Sequence, residues 1–378
     1  MNLINKVLLV IWVLSLLVLA YFTGDYFFNR NDEMKAVNQS EVIEDELGEI
    51  DEPIEEPVVI PEVSMELAMI GDVLLHRRLA VYQEFTSSFE PVLEHLQSPD
   101  YLIANQESPP TAPTYPINGY PQFSSPEYII RDLQKAGVDM VNIANNHIVD
   151  KGEGGMTEVF KTLDNYNMPY VGAYRSKEDA SNARIIEKED LKIGVLSYTY
   201  GTNGLYLPKG SEYIVNYIDV EKMVREVQEL KPQVDVVTVL IHWGDEYTIV
   251  YNSTQKDIAT RLNEVGADII FGSHPHVLQP YEKIVGTAGN ETHVYYSLGN
   301  FFATIVTIPE TFIGGIASVQ ITKKGEEVTI DTPKVFATSM LKDADGIYRI
   351  YPLAEVESRS IRNMEWVKNI LGEDVIVY

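Results

Sequence analysis

A series of apolar runs separated by segments of helical spacing constrains this chain more than any other feature. The runs are Glu66–Leu74, Val138–Ile143, Ile193–Tyr198, Val234–Ile241, Ile269–Gly272 and His293–Ser297. Such short, near-continuous apolar stretches suit strands buried on both faces. Between them, Pro126 stands at a first helical position after Ser125 and leads into a helix closed by Gly137. Gly155–Asn165 and Val220–Leu230 carry the same spacing, and Ser253-Thr254 opens a further helix closed by Gly266. Alternating strand and helix predict an α/β fold with a largely buried sheet. After Phe302 the pattern turns to β hairpins, one of them turning at Lys324-Gly325.

Polar motifs follow these runs. They are Gly71-Asp72 with His76, Asn105-x-Glu107 after Tyr101–Ala104, Asn145-Asn146-His147 with Asp150, His242-Trp243-Gly244 with Glu246, and His274-Pro275-His276. In open α/β sheets the carboxyl ends of parallel strands share one edge, so residues distant in sequence converge there. Asp72, Glu107, Asn146, His147, His242, His274 and His276 then form a donor set for one or two borderline divalent ions, with Zn, Mn and Fe as candidates. Each motif alone has an ordinary structural reading, as a turn, a loop cap or a satisfied core histidine. Their joint placement favours the metal site. His95 falls in an expected amphipathic helix, and His293 matches no motif, so both read as structural. Asn203 and the other polar motif residues, His76, Arg77, Asn105, Asn145 and Glu246, are candidates for substrate binding.

The N-terminus adds a compartment. Val7–Gly24 carries no charge, with Lys6 before it and Asp25 after it. As a helix it spans about 27 Å, close to the hydrocarbon thickness of a bilayer. The single lysine before the run and the acidic residues beyond it orient the N-terminus inward and the rest outward; a cleaved signal peptide is the alternative. Residues 31–62 hold twelve Asp and Glu against Lys35 alone, plus three prolines, and predict a solvated tether. The formal charge of −27 excludes a nucleic-acid binder working through a basic face. With no cysteine, thiolate ligands and a Cys nucleophile are excluded too. The expected organisation is an anchor over 1–30, a tether over 31–62, a domain over 63–305 and a β-rich extension over 306–378 packing on it.

The strings IGDVLLHRRL, NQESP, ANNHIVDKGEGGMTEV, SYTYGTNG, HWGDEY, GSHPHVLQP and YSLGNFF, in this order, resemble the CapA/PgsA family of poly-γ-glutamate capsule-synthesis proteins. The resemblance implies a calcineurin-like metallophosphoesterase fold, a β-sandwich flanked by helices. It implies Asp72, Asn146, His242, His274 and His276 as metal ligands, and Asp72, Asn146 and His147 as catalytic residues. Two departures stand out. Where the superfamily has Asp-x-His on its first strand, position 74 is Leu. The bridging aspartate is absent as well, and Glu107 is its only stand-in.

Three functions remain open on this reading. One is a membrane-anchored extracytoplasmic component of poly-γ-glutamate synthesis or export, in contact with the bilayer, the synthase membrane subunits and the anionic polymer. Another is a cell-surface metal-dependent hydrolase of phosphoester or amide bonds, with His147 protonating the leaving group. The last is a non-catalytic scaffold with a structural metal site.

Overall fold

The structure, a computed structural model, describes residues 61–378. The expected N-terminal span and nearly all of the tether lie outside the described residues. Strand β1 (Glu62–Leu74) starts inside the last residues assigned to the tether. Among the described residues, no helix is long and apolar enough to cross a membrane.

Two sheets carry the fold. In the nine-stranded first sheet, β2 (Tyr101–Gln106), β3 (Met140–Asn142) and β4 (Tyr170–Val171) follow β1 in parallel order. On the other side of β1, β14 (Ile313–Lys324), β15 (Glu327–Lys342) and β16 (Tyr348–Pro352) continue the sheet antiparallel. Strand β13 (Asn300–Ala303) lies parallel to the end of β1, and β17 (Ile376–Val377) joins β15. The second sheet has six strands. Strands β7 (Leu191–Thr199), β9 (Val236–His242), β10 (Ile269–Ser273) and β12 (Glu291–Tyr295) run parallel within it. Its antiparallel margins are β6 (Arg184–Lys188) and β11 (Tyr281–Val285). A small ribbon pairs β5 (Ala173–Tyr174) with β8 (Ile214–Val215).

The period of two along each strand sorts side chains into layers. Val63, Met65, Leu67 and Met69 of β1 face one apolar cluster together with Leu240 of β9 and Phe271 of β10, so the sheets pack face to face there. Ala68 and Ile70 turn the other way, onto the helices Tyr128–Ala136 and Gly152–Asn165. Val237, Val239 and Ile241 likewise turn outward onto the helices Val220–Leu230 and Ser253–Glu264. The result is a β-sandwich with a helical layer on each outer face, which explains why the central strands read as continuous apolar runs.

The structure adjusts local expectations. The helix expected to open at Ser253-Thr254 is capped one residue earlier, by Asn252, whose side chain accepts from Gln255 N while the Gln255 side chain returns to the Asn252 N–H. The hairpin turns one residue later than expected, between Lys324 and Glu327, with Gly325 at φ 62°. Residues 306–378, expected as an extension packing on the domain, supply strands of the first sheet itself. The helix expected around His95 breaks into Thr86–Phe89, a 3₁₀ turn at Glu90–Val92, and Leu93–Gln97.

Candidate metal centre

The parallel strands deliver their motifs to one place. Asp72 sits near the end of β1, Asn105 and Gln106 end β2, His242 ends β9, and His274 and His276 follow β10. Close backbone approach helps this convergence. A Cβ at Gly71 would lie 2.0 Å from the Gly299 carbonyl oxygen, and one at Gly272 would lie 2.0 Å from that of Tyr296. Only glycine lets these strand ends come so near their neighbours.

Glu107 is at the centre, fully buried, and neither carboxylate oxygen has a hydrogen-bond partner. Its Oε1 lies 3.6 Å from His242 Nε2 and 3.8 Å from His276 Nε2. Ligand atoms of Glu107, His274 and His276 all lie within 4.8 Å of one another. On the His276 side, the ring Nδ1 is 2.9 Å from Asp72 Oδ2 and 2.9 Å from Asn300 Oδ1. Asn105 Nδ2 donates to Asp72 Oδ1 at 2.7 Å. On the His242 side, Nε2 faces Asn146 Oδ1 at 3.0 Å and Nδ1 lies 2.9 Å from the Ser273 hydroxyl. Two atoms about 3 Å apart can share one ion at bond lengths near 2.1 Å. The His274 Nδ1 is also buried without a partner.

Orphaned buried acceptors cost free energy that a cation bound among them recovers. The residues present therefore fit a divalent ion: Glu107, His274 and His276 as the tightest set, with Asp72, Asn146 and His242 beside them. Electrostatics agree. Burial pushes the Glu107 carboxyl well up, against the pull of His276. Burial and neighbouring imidazoles hold His242 and His274 far down, in the neutral form that ligates metals. Burial opposes charge on His276 as well, but Glu107 and Asp72 outweigh it and lift His276 to about 9. A bound cation in place of that proton would reverse the balance.

His147 stands at one end of the cluster. Its Nδ1 is 2.8 Å from Asp150 Oδ2, and its ring packs edge-to-face on Phe123 at 4.6 Å. His76 packs edge-to-face with Phe123 as well, at 5.3 Å, and is held down to about 4, first by burial and then by His276. Asn145 is spent on structure: it donates to Gln106 O and accepts from His147 N, holding the loop that aims His147. Asn105 likewise bridges Asp72, Asn142 and His242 inside the protein. Arg77, Asn203 and Glu246 are exposed around the cluster. His95 lies elsewhere, stacked on Phe336 at 3.7 Å, and the ring of His293 meets the Tyr281 hydroxyl at 2.8 Å.

Two contributors escape motif reading. Asn300 reaches His276 from the YSLGNFF string, where an asparagine after a turn looks like a loop residue. Tyr200 covers His274 and His242, at ring distances of 4.5 and 6.2 Å, and donates to Asn203 Oδ1 at 3.2 Å. Backbone strain could have marked the region only in three dimensions. Asn203, Tyr247, His274 and His276 all hold positive φ, which non-glycine residues adopt at a cost and which concentrates at functional sites.

Comparison with known proteins covers this same region. The PGA biosynthesis protein CapA of Bacillus subtilis (strain 168) is 31% identical over 247 residues, 63% of this chain and 63% of that protein, so the chain spans less than two thirds of its relative's length. Among solved structures, NAD nucleotidase of Haemophilus influenzae (NadN) aligns with a TM-score of 0.46 and 12% identity, over 84% of this chain and 57% of that one. A 5'-nucleotidase precursor from Thermus thermophilus gives 0.45 and 14%, over 73% and 54%. The family model described as bacterial capsule synthesis protein PGA_cap matches residues 66–304, a span that starts in β1, ends just past β13 and contains every motif of the cluster. This chain belongs to that family.

Proposed function

We propose that this protein is a membrane-anchored, outward-facing component of poly-γ-glutamate synthesis or export, whose domain binds one or two divalent metal ions around Glu107 in a metallophosphoesterase-like site. One observation carries the metal reading: a fully buried carboxylate with both oxygens unpartnered, beside two histidines, His242 and His274, held neutral. The family and the CapA relative support the pathway, and the apolar run Val7–Gly24 supports the anchor. The bilayer and the membrane subunits of the polymer synthase are the partners this reading requires.

A hydrolytic role at the same site is favoured by the His147–Asp150 pair. A divalent ion held by Glu107, Asp72, Asn146, His242, His274 and His276 would supply Lewis acidity to an oxygen of the substrate. Asp150 orients His147 through Nδ1, leaving Nε2 to deliver or take a proton at a leaving group. Burial of the cluster excludes bulk water and strengthens these interactions.

Elemental analysis of the purified full-length protein, with turnover of a generic phosphodiester, tests both readings. Stoichiometric Mn, Zn or Fe with turnover supports the enzyme. Metal without turnover leaves a scaffold, and absence of metal after growth with each ion overturns the site. For topology, protease added to protoplasts should release a soluble fragment by cutting within 31–62, whereas full protection of the domain would refute the outward orientation.

A further inference from the structure

We infer that Arg77, Arg78 and Lys151 form an anion subsite at the His147 end of the cluster, which seats a carboxylate or phosphate of a polyanionic chain beside the metal ligands. The inference rests on the functional reading above and adds where a charged substrate lies.

The loop Gly119–Phe123 ties the backbone at Arg77 and the side chain of Lys151 to the wall beside His147. At Gly119 it packs so closely on Arg77 that a Cβ would lie 2.9 Å from the Arg77 nitrogen. Lys151 Nζ donates to Gln122 O at 3.1 Å, and Phe123 N donates to Asp150 Oδ2 at 2.6 Å. Phe123 then contacts both His76 and His147. Both cation-bearing segments are thereby fastened to the loop that walls His147.

Arg77 and Arg78 are exposed, and among the described residues no carboxylate lies within 4.0 Å of either or of Lys151. Most other arginines among the described residues of this acidic chain are paired, as Arg184 is with Asp179 and Arg349 with Asp343. A formal charge of −27 repels a polyanion at long range. Within a screening length of about 8 Å, however, unpaired local cations decide the interaction. Guanidinium groups also bind carboxylate and phosphate through two parallel hydrogen bonds.

Around the cluster, Tyr200 lies over His274 and His242, and the exposed Glu246 presents a like charge to an anionic chain. The unpaired cations Arg77, Arg78 and Lys151 are the groups there that attract one. The group next to the one held at the cluster falls on the two arginines and Lys151.

The test measures binding of the full-length protein in detergent to poly-γ-glutamate and, separately, to polyphosphate of similar length. Arg77→Glu with Arg78→Glu should weaken binding about tenfold or more and flatten its salt dependence, since rim charges act largely through such steering. The paired glutamine substitutions should give an intermediate loss, and Lys151→Gln a smaller one. Arg225→Glu and Lys368→Glu, exposed on the helices Val220–Leu230 and Met364–Leu371, should bind like the parent. Loss confined to poly-γ-glutamate identifies a carboxylate chain, and loss confined to polyphosphate a phosphate chain. Unchanged binding of both polymers by the double Glu variant overturns the subsite, as does a parent that binds neither. Metal content, measured on the same samples, separates this outcome from failure of the metal reading: a metal-free parent that still loses polymer binding on charge reversal keeps the subsite and discards the metal.

Discussion

Strands β1 and β14 are neighbours in one sheet and draw on the same apolar residue types, yet only one of them ends at the candidate site. From Met65 onward β1 is buried almost throughout and runs parallel to β2, so both chains leave the sheet at the same edge. Strand β14 runs the other way, and its far end passes from the buried Ile321 through half-buried residues to the exposed Lys324 as it approaches the hairpin. Among the described residues, strands β14, β15 and β16 contribute none to the candidate metal cluster. Direction separates the two regions more than composition does. Parallel strands stack their carboxyl ends and bring Asp72, Asn105 and His242 together, whereas antiparallel strands scatter their ends and serve to bury one margin of the sheet.

The sharpest way to break this comparison is to push apart the strand ends. Gly71→Ala would place a methyl 2.0 Å from a backbone oxygen that has no flexible side chain to yield. Overpacking against backbone should cost about 3 kcal/mol or more, lowering the melting temperature by about 6 °C or more and taking metal binding with it. Gln320→Ala on β14 removes only a half-exposed hydrogen bond to Ser64 and should cost less than about 1 kcal/mol. Calorimetry on the two variants decides the matter, and equal melting points would show that the parallel edge is no more tightly built than the antiparallel one.

This difference also explains what the sequence could show. Central strands announce themselves because burial on both faces leaves continuous apolar runs, and the motifs at their ends are readable because topology, not local geometry, gathers them. Asn300 and Tyr200 stayed hidden because their roles depend on packing from outside those runs: one lies on a short strand beside β1, the other in a loop folded over two histidines. Asn145 and Asn105 were legible as strand-end polar residues, but not their internal partners, the backbone of the neighbouring loops for one and the side chains of Asp72 and Asn142 for the other. Strand β14 gave a clear hairpin signal, but its pairing with β1 joins residues some 250 positions apart, as Ser64 with Thr322 does, and no local pattern encodes such a contact.

Substitution of ligands tests the cluster itself. His242→Ala and His276→Ala each remove a buried imidazole facing Glu107, and each should weaken metal binding at least 100-fold, beyond the 10–100-fold typical of losses behind the ligands. His95→Ala should leave metal content intact while losing about 1 kcal/mol of aromatic stacking on Phe336. Metal titration of the three variants checks the contrast, and equal affinities would dissolve the assignment.

Glu107→Gln is gentler, because it keeps the shape and removes the charge. Metal affinity should fall about 10–100-fold. In the metal-free protein the effect should reverse. The folded pKa of Glu107 is raised above its ordinary value, so this residue's contribution to stability is present below the unfolded carboxylate range and is lost as pH rises toward the folded value. The glutamine variant lacks that loss. Metal-free Glu107→Gln should therefore keep more of its stability than the metal-free parent on going from mildly acidic to neutral pH, as read by urea unfolding. A parent with the flatter profile would show that Glu107 is compensated without an ion.

The smallest change reaches only the proton. Asp150 accepts from His147 through Oδ2 and from the Phe123 N–H through the same oxygen, while its Oδ1 is buried without a partner. Asp150→Asn can keep one acceptor toward His147, so the fold and the metal ligands should stay in place. What it removes is the negative charge that favours the Nδ1–H tautomer and steadies the ring when Nε2 is protonated. General acid–base groups contribute about 10²–10⁴-fold when lost outright; weakening only the partner that orients one should cost about tenfold in turnover of a phosphodiester and shift the pH profile, at unchanged metal content. The packing of Phe123 between His76 and His147 is common to parent and variant, so a purely structural role for Asp150 would change stability without moving the pH profile. That outcome, or full turnover in the asparagine variant, would remove His147 from proton transfer and leave the cluster as a binding site in which the parallel edge supplies ligands but no acid.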